Sequence, residues 1–146
     1  MRKIDITMTA TLRPKLIKQT LESFQENLFY DNPERYRLLI NVDPVGEDCG
    51  IKEILEMASK MFSTSEVIIP LEPSFPKAVI RTWECSTSEF CFHLEDDWLL
   101  NRRVDINHMI NILDQNRHLA CLRMYKNNIS NKSIVTMFGS LYYFFL

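Results

Sequence analysis

Strand-like and helix-like segments alternate along the whole chain of 146 residues, and this order limits the available folds more than any motif does. Ile4 to Thr9 reads as a strand. Pro14 to Leu28 reads as a helix, with Leu16, Ile17, Thr20, Leu21, Phe24 and Leu28 on one stripe. Tyr36 to Val42 is a second strand, followed by a turn over Asp43-Pro44-Val45-Gly46. Ile51 to Phe62 is a second helix, with Ile51, Ile54, Leu55, Ala58 and Phe62 inward. Val67 to Ile69 is a short third strand, and Pro76 opens a third helix reaching about Ser86. Phe90 to Leu94 is a fourth strand. Val104 to Asn116 is a fourth helix that faces inward through Ile106, Met109, Ile110 and Leu113. Leu119 to Tyr125 reads as a fifth strand, and Ile134 to Leu146 is aromatic and β-prone. Strands alternating with amphipathic helices predict βαβ units with right-handed crossovers. The expected fold is α/β, a three-layer α/β/α sandwich around a mostly parallel, Rossmann-like sheet, in one domain over residues 1–146.

Composition narrows the function. Hydrophobic residues make up 46% of the chain and the net charge is -2, so a core is affordable and no basic stripe invites nucleic acid. Cys49, Cys85, Cys91 and Cys121 form no CxxC pair and read as free thiols of a reducing compartment. No apolar signal region follows the charges at the N-terminus, and Leu141 to Leu146 is too short to span a bilayer. A cytoplasmic protein is expected. Asn128 and Asn131 begin glycosylation-acceptor triplets, which mean nothing in that compartment. With three glycines in the chain, a glycine-rich phosphate cradle is excluded, and no nucleophile-elbow or Walker motif occurs.

In parallel sheets ligands collect at the carboxyl ends of the strands. Strand one ends in Thr9-Ala10-Thr11-Leu12-Arg13-Pro14. Proline at the first helical position makes Arg13 the cap residue, and arginine cannot accept the orphan backbone N–H groups. Arg13 is there either for an anionic ligand or as a solvated side chain. Asp43 either starts a turn or accepts hydrogen bonds from a ligand. Lys77 and Arg81 lie four apart on one helical face; they suit a diphosphate, or solvent and Glu84. His93 reads as a hydrogen-bonded core residue.

The strongest feature follows strand four, where an apolar run leads into Glu95-Asp96-Asp97. Three consecutive acids repel one another, and a divalent cation among them relieves it. In an extended chain Glu95 and Asp97 share one side and Asp96 faces the other. The competing reading is that these acids favour the dipole of the next helix.

Together these residues resemble the GT-A nucleotide-diphospho-sugar transferases. Phe92-His93-Leu94-Glu95-Asp96-Asp97 takes the place of that family's apolar run and acidic DxD motif. The resemblance implies a metal-dependent glycosyltransferase that uses Mn2+ or Mg2+. Glu95 and Asp97 would be its metal site, and Thr9, Thr11, Arg13, Asp43, Lys77, Arg81 and Asp96 its donor nucleotide site. The partners implied are a nucleotide-diphosphate sugar and an acceptor that the sequence does not name, as it names no catalytic base. Two departures stand out: Glu95 replaces the first aspartate, and Asp43-Pro44-Val45-Gly46 replaces the family's acidic element after strand two. The family also continues well past its acidic motif into an acceptor-binding region, so this chain is expected to be truncated before it. The alternative is a non-catalytic nucleotide-binding or assembly module of the same fold. The apolar end, Leu141 to Leu146, reads as an uncovered strand, which predicts a homodimer through that segment.

Overall fold

The computed structural model describes residues 2–47 and 50–124, and of residues 142–145 the backbone alone. Cys49, Asn128 and Asn131 lie outside the described residues. The sheet has the order β3-β2-β1-β4-β6-β5. β1 (Ile4–Leu12), β2 (Tyr36–Gly46), β3 (Thr64–Ile68) and β4 (Phe90–Glu95) run parallel, and β6 (Tyr142–Phe145) is antiparallel to both β4 and β5 (Cys121–Met124). The helices are α1 (Pro14–Asn27), α2 (Gly50–Met61), α3 (Phe75–Glu84) and α4 (Ile106–Gln115). The fold is the expected three-layer α/β sandwich.

Strand alternation sorts the two faces. Ile4, Ile6 and Met8 of β1 lie level with Tyr36, Leu38 and Ile40 of β2, and with Phe90, Phe92 and Leu94 of β4. This apolar face packs on α1, α2 and α4 through Phe24, Ile54, Met109 and Leu113. Phe24 of α1 touches the Phe92 ring at 5.9 Å between centroids. The next residue, His93, meets Trp83 of α3 at 6.0 Å. Successive strand residues point to opposite faces, so α1 and α3 cover opposite sides of the sheet. The α3 side is polar. Its rows are Asp5 with Arg37 and Cys91, Thr7 with Leu39 and His93, and Thr9 with Asn41 and Glu95. Strands of parallel sheets are ordinarily apolar on both faces.

Several expected boundaries move. β2 continues through Asp43 to Gly46, because Leu12 pairs with Gly46 after Thr11 pairs with Asp43, and Pro44 and Val45 bulge out. Gly46 has φ +129°, and a Cβ there would collide with the Leu12 carbonyl oxygen. β3 starts earlier than its apolar triplet, at Thr64, since an edge strand needs no continuous apolar run. In α2, Leu55 is exposed and Met57 takes the inward position. α4 begins at Ile106, capped by the Asp105 carboxylate, which accepts from the N–H groups of Asn107 and His108.

The β6 backbone sits between β4 and β5 rather than at a sheet edge. The open edge that motivated the dimer is therefore closed within the chain. Among the described residues no helix is long and apolar enough to cross a membrane, and Cys85, Cys91 and Cys121 are free thiols.

Candidate functional site

The carboxyl ends of β1, β2 and β4 surround a depression of about 170 Å³. Thr9, Thr11, Arg13, Asp43, Glu95, Asp96 and Asp97 line it, and so do Phe75 and Ala78 of α3. Seven sequence-predicted residues thus meet in one place. Lys77 is exposed on the first turn of α3 and lies outside the lining. Arg81 also lies outside it and donates instead to Asn41 Oδ1 at 3.2 Å.

The acidic run does not stay extended. β4 ends at Glu95, and Asp96-Asp97 forms a turn closed by the Trp98 N–H on the Glu95 carbonyl. The turn, rather than strand alternation, separates the three acids. Asp96 is buried, Glu95 half-buried and Asp97 exposed. Asp96 Oδ2 accepts from the Thr11 N–H at 3.0 Å and the Thr11 hydroxyl at 3.3 Å. Arg13 closes an ion pair on Asp96 Oδ1. The Asp96 carbonyl accepts from the buried Thr20 hydroxyl of α1 at 2.8 Å. Asp43 is tied in the same manner. Its oxygens accept from Asn41 Nδ2 at 2.9 Å and from the Ser74 N–H at 2.8 Å.

Glu95 and Asp97 have no such internal counterparts among the hydrogen bonds and ion pairs of the described residues. Burial, then the charges of Asp97 and Asp96, raise the Glu95 carboxyl above the ordinary glutamate range. Among the described residues no group of three or more His, Cys, Asp or Glu side chains is gathered to hold a metal ion. Two uncompensated carboxylates do fit a hard cation that completes its shell from a bound phosphate, since Mg2+-type sites commonly use one or two carboxylates plus substrate oxygens. Thr9 Oγ1 is a buried oxygen with no hydrogen-bond partner among the described residues, and Thr9 lines this depression. Neither α1 nor α3, whose N-termini flank the depression, has a side-chain cap.

A larger cavity, about 240 Å³, opens at the other end of the strands beside Lys3, Asp5, Arg35, Tyr36 and Arg37. Its polar groups satisfy one another. Asp5 accepts from the N–H groups of Thr87 and Ser88 and the hydroxyls of Ser86 and Ser88. Burial pushes the Asp5 carboxyl up, but these donors outweigh it and hold it below the usual range. Arg35 is paired with Asp31, and Arg37 with Glu66. Size therefore does not choose the site; unsatisfied chemistry does.

Sequence reasoning missed Phe75, Ala78 and Asn41. The signal was the period-two pattern Ile-Asp-Ile-Thr-Met-Thr of β1, which marks a polar sheet face and places α3 over it.

No protein-family profile matches the chain, and no curated protein matches it in sequence. Solved structures do match in fold. S. aureus TarS in complex with UDP-GlcNAc is 15% identical with a TM-score of 0.62, over 92% of this chain and 37% of TarS 1-349. The mannosyltransferase PcManGT from Pyrobaculum calidifontis, in complex with GDP-Man and Mn2+, is 12% identical with a TM-score of 0.62. That match covers 77% of this chain and 32% of the transferase. A cytidylyltransferase from Leptospira borgpetersenii is 15% identical with a TM-score of 0.56, over 99% and 60% of the two chains. The chain has the nucleotide-diphospho-sugar transferase fold. It spans about a third of the two glycosyltransferase chains and three fifths of the cytidylyltransferase.

Proposed function

We propose that the depression at the carboxyl ends of β1, β2 and β4 binds a nucleotide-diphosphate sugar together with Mn2+ or Mg2+, as the donor site of a glycosyltransferase. The observation that carries this reading is the pair of uncompensated carboxylates, Glu95 and Asp97, in a depression where Asp43 and Asp96 are already satisfied. An anionic diphosphate does not enter an acidic depression unaided, and a cation reconciles the two charges. When bound, such a cation neutralises the diphosphate and stabilises a departing phosphate. TarS bound to UDP-GlcNAc and a mannosyltransferase bound to GDP-Man and Mn2+ share the fold, which supports the class of ligand.

This chain's own residues do the placing. Glu95 and Asp97 hold the cation, Thr9 offers its unpaired hydroxyl, and Phe75 gives a planar apolar wall. Asp43, braced by Asn41 and Ser74, retains lone pairs for a donor group of the ligand. The uncapped starts of α1 and α3 favour phosphate oxygens. Lys77 and Arg81 lie outside the lining, and Arg81 is linked to Asp43 through Asn41.

Calorimetry with UDP-GlcNAc and GDP-Man, with and without Mn2+, tests the reading. Binding is expected to need the metal and to weaken at least tenfold in Asp97→Ala, as loss of a direct ligand does to a two-carboxylate site. Metal-dependent binding that survives this substitution removes Asp97 from the site.

A further inference from the structure

We infer that Asp96 is a positioning residue whose task is to hold Arg13 away from Glu95 and Asp97, so that those two carboxylates stay available to a cation. The inference rests on the cation reading above and assigns a role within it that ligand contact does not require.

Among the described residues Arg13 is the one cation that lines the depression. Its side chain is 41% exposed, so nothing in the packing immobilises it. What fixes it is a set of polar contacts. The Arg13 Nε donates to Thr11 Oγ1 at 2.8 Å and to Asp96 Oδ2 at 3.3 Å, and Nη2 pairs with Asp96 Oδ1. Asp96 is in turn fixed. Its side chain is 6% exposed, it accepts from the Thr11 N–H, and its own carbonyl takes the Thr20 hydroxyl. The middle acid of the run is therefore bound on both sides by the β1–α1 loop and α1. Arg13 is delivered to it as part of that loop.

Now consider Asp96 without its charge. The guanidinium keeps its position on the loop but loses its partner. The remaining carboxylates of the lining are Asp43, which Asn41 and Ser74 already occupy, and the pair Glu95 and Asp97. Arg13 then compensates that pair, and a cation must displace it. Asp96 thus does not add to the attraction for metal as a third ligand. It cancels a competitor. Thr9, whose buried hydroxyl has no partner among the described residues, belongs to the same lining.

The test follows from the sign of the coupling between Asp96 and Arg13. Mn2+ binding to the full chain is read from the loss of the free-ion EPR signal, first with Mn2+ alone and then with UDP present. Asp96→Asn is expected to weaken Mn2+ binding about tenfold, because the released Arg13 guanidinium then brings one positive charge to an exposed cation site. Arg13→Met alone is expected to leave it within about threefold of the parent, because Asp96 already holds that cation away from the pair. In Asp96→Asn/Arg13→Met, binding is expected to return to within about threefold of the parent, because the competitor is gone. A merely structural Asp96 gives the opposite pattern. Arg13→Met then weakens binding, and the double variant is no better than Asp96→Asn. Either result overturns the inference. The Arg13→Met measurement decides even if Asp96→Asn fails to fold. A parent chain that takes up no Mn2+, alone or with UDP, overturns the cation reading and this inference together. A parent that binds while the pattern fails overturns the inference alone.

Discussion

Replacing Thr9 by valine should make the free protein more stable and the bound complex weaker. The side chain is 5% exposed, and its Oγ1 is a buried oxygen without a hydrogen-bond partner among the described residues. A buried hydroxyl left unpaired costs about 1–3 kcal/mol in desolvation that no contact returns. Valine occupies the same volume with a methyl in place of the hydroxyl and keeps the β-branch that suits a strand. Taking the low end of that range, Thr9→Val should gain about 1 kcal/mol, or about 3 °C in Tm for a chain of this length. The sign is unusual, since most buried substitutions destabilise. A ligand that engages the hydroxyl reverses the preference, and its Kd should rise roughly fivefold for the loss of one neutral hydrogen bond. Thermal melts of the parent, Thr9→Val and Thr9→Ser, paired with nucleotide-sugar calorimetry in Mn2+, measure both halves. Thr9→Ser keeps the hydroxyl and loses a methyl, so it should melt lower and bind normally. A fall in Tm for Thr9→Val refutes the reasoning, because the hydroxyl then has a partner in the free protein.

Two further outcomes are expected. Burial pushes the His93 imidazole down to about 4 from its ordinary 6.5, so the fold binds the neutral ring. The unfolded chain takes up its proton first, so stability is lost as pH falls from 6.5 towards 4, by about 3 kcal/mol in total. Tm measured across that window should slope downward in the parent and flatten in His93→Asn. Phe75 is 56% exposed yet lines the depression. Phe75→Ala should leave Tm nearly unchanged and weaken UDP binding roughly three- to tenfold, the range of one aromatic stacking contact.

The layers of this fold are readable in the sequence because hydrophobic periodicity reports burial directly. Ile17, Leu21 and Phe24 of α1 and the four inward residues of α4 are buried as their spacing requires. What escapes periodicity is set by pairing between distant segments. The bulge that extends β2 to Gly46 depends on Leu12, far away in sequence, and the early start of β3 depends on the pairing of Thr64 with Arg37. Leu55 fits the helical stripe as well as Met57 does, yet Met57 is the one that packs inward. The acidic run was visible, and so was the separation of Asp96 from Glu95 and Asp97, but the cause of that separation was not. Alternation applies only while the chain is extended, and the Glu95–Trp98 turn is closed by a backbone bond that no residue type announces. Arg13 shows the same limit. Its unsuitability as a cap was legible, while the partner that explains it lies 83 residues away.

The polar face of β1 carries the argument for where function sits, because one strand samples both ends of the sheet. At its start Asp5 accepts from four donors, which hold its carboxyl below the usual range despite burial. At its middle the Thr7 hydroxyl meets His93 Nδ1 at 3.0 Å and Cys91 Sγ at 3.4 Å, a closed internal cluster. At its end the Thr9 hydroxyl has no partner among the described residues, and level with it on β4 Glu95 is raised by burial and by like charges. Satisfaction of polar groups therefore declines along the strand towards its carboxyl end. Folding alone gives no reason for that direction, since an apolar residue at either position would remove the cost. On the proposed reading a ligand supplies the reason, with a cation for Glu95 and Asp97 and a hydrogen-bonding group for Thr9. A metal-bound nucleotide-diphosphate sugar has both.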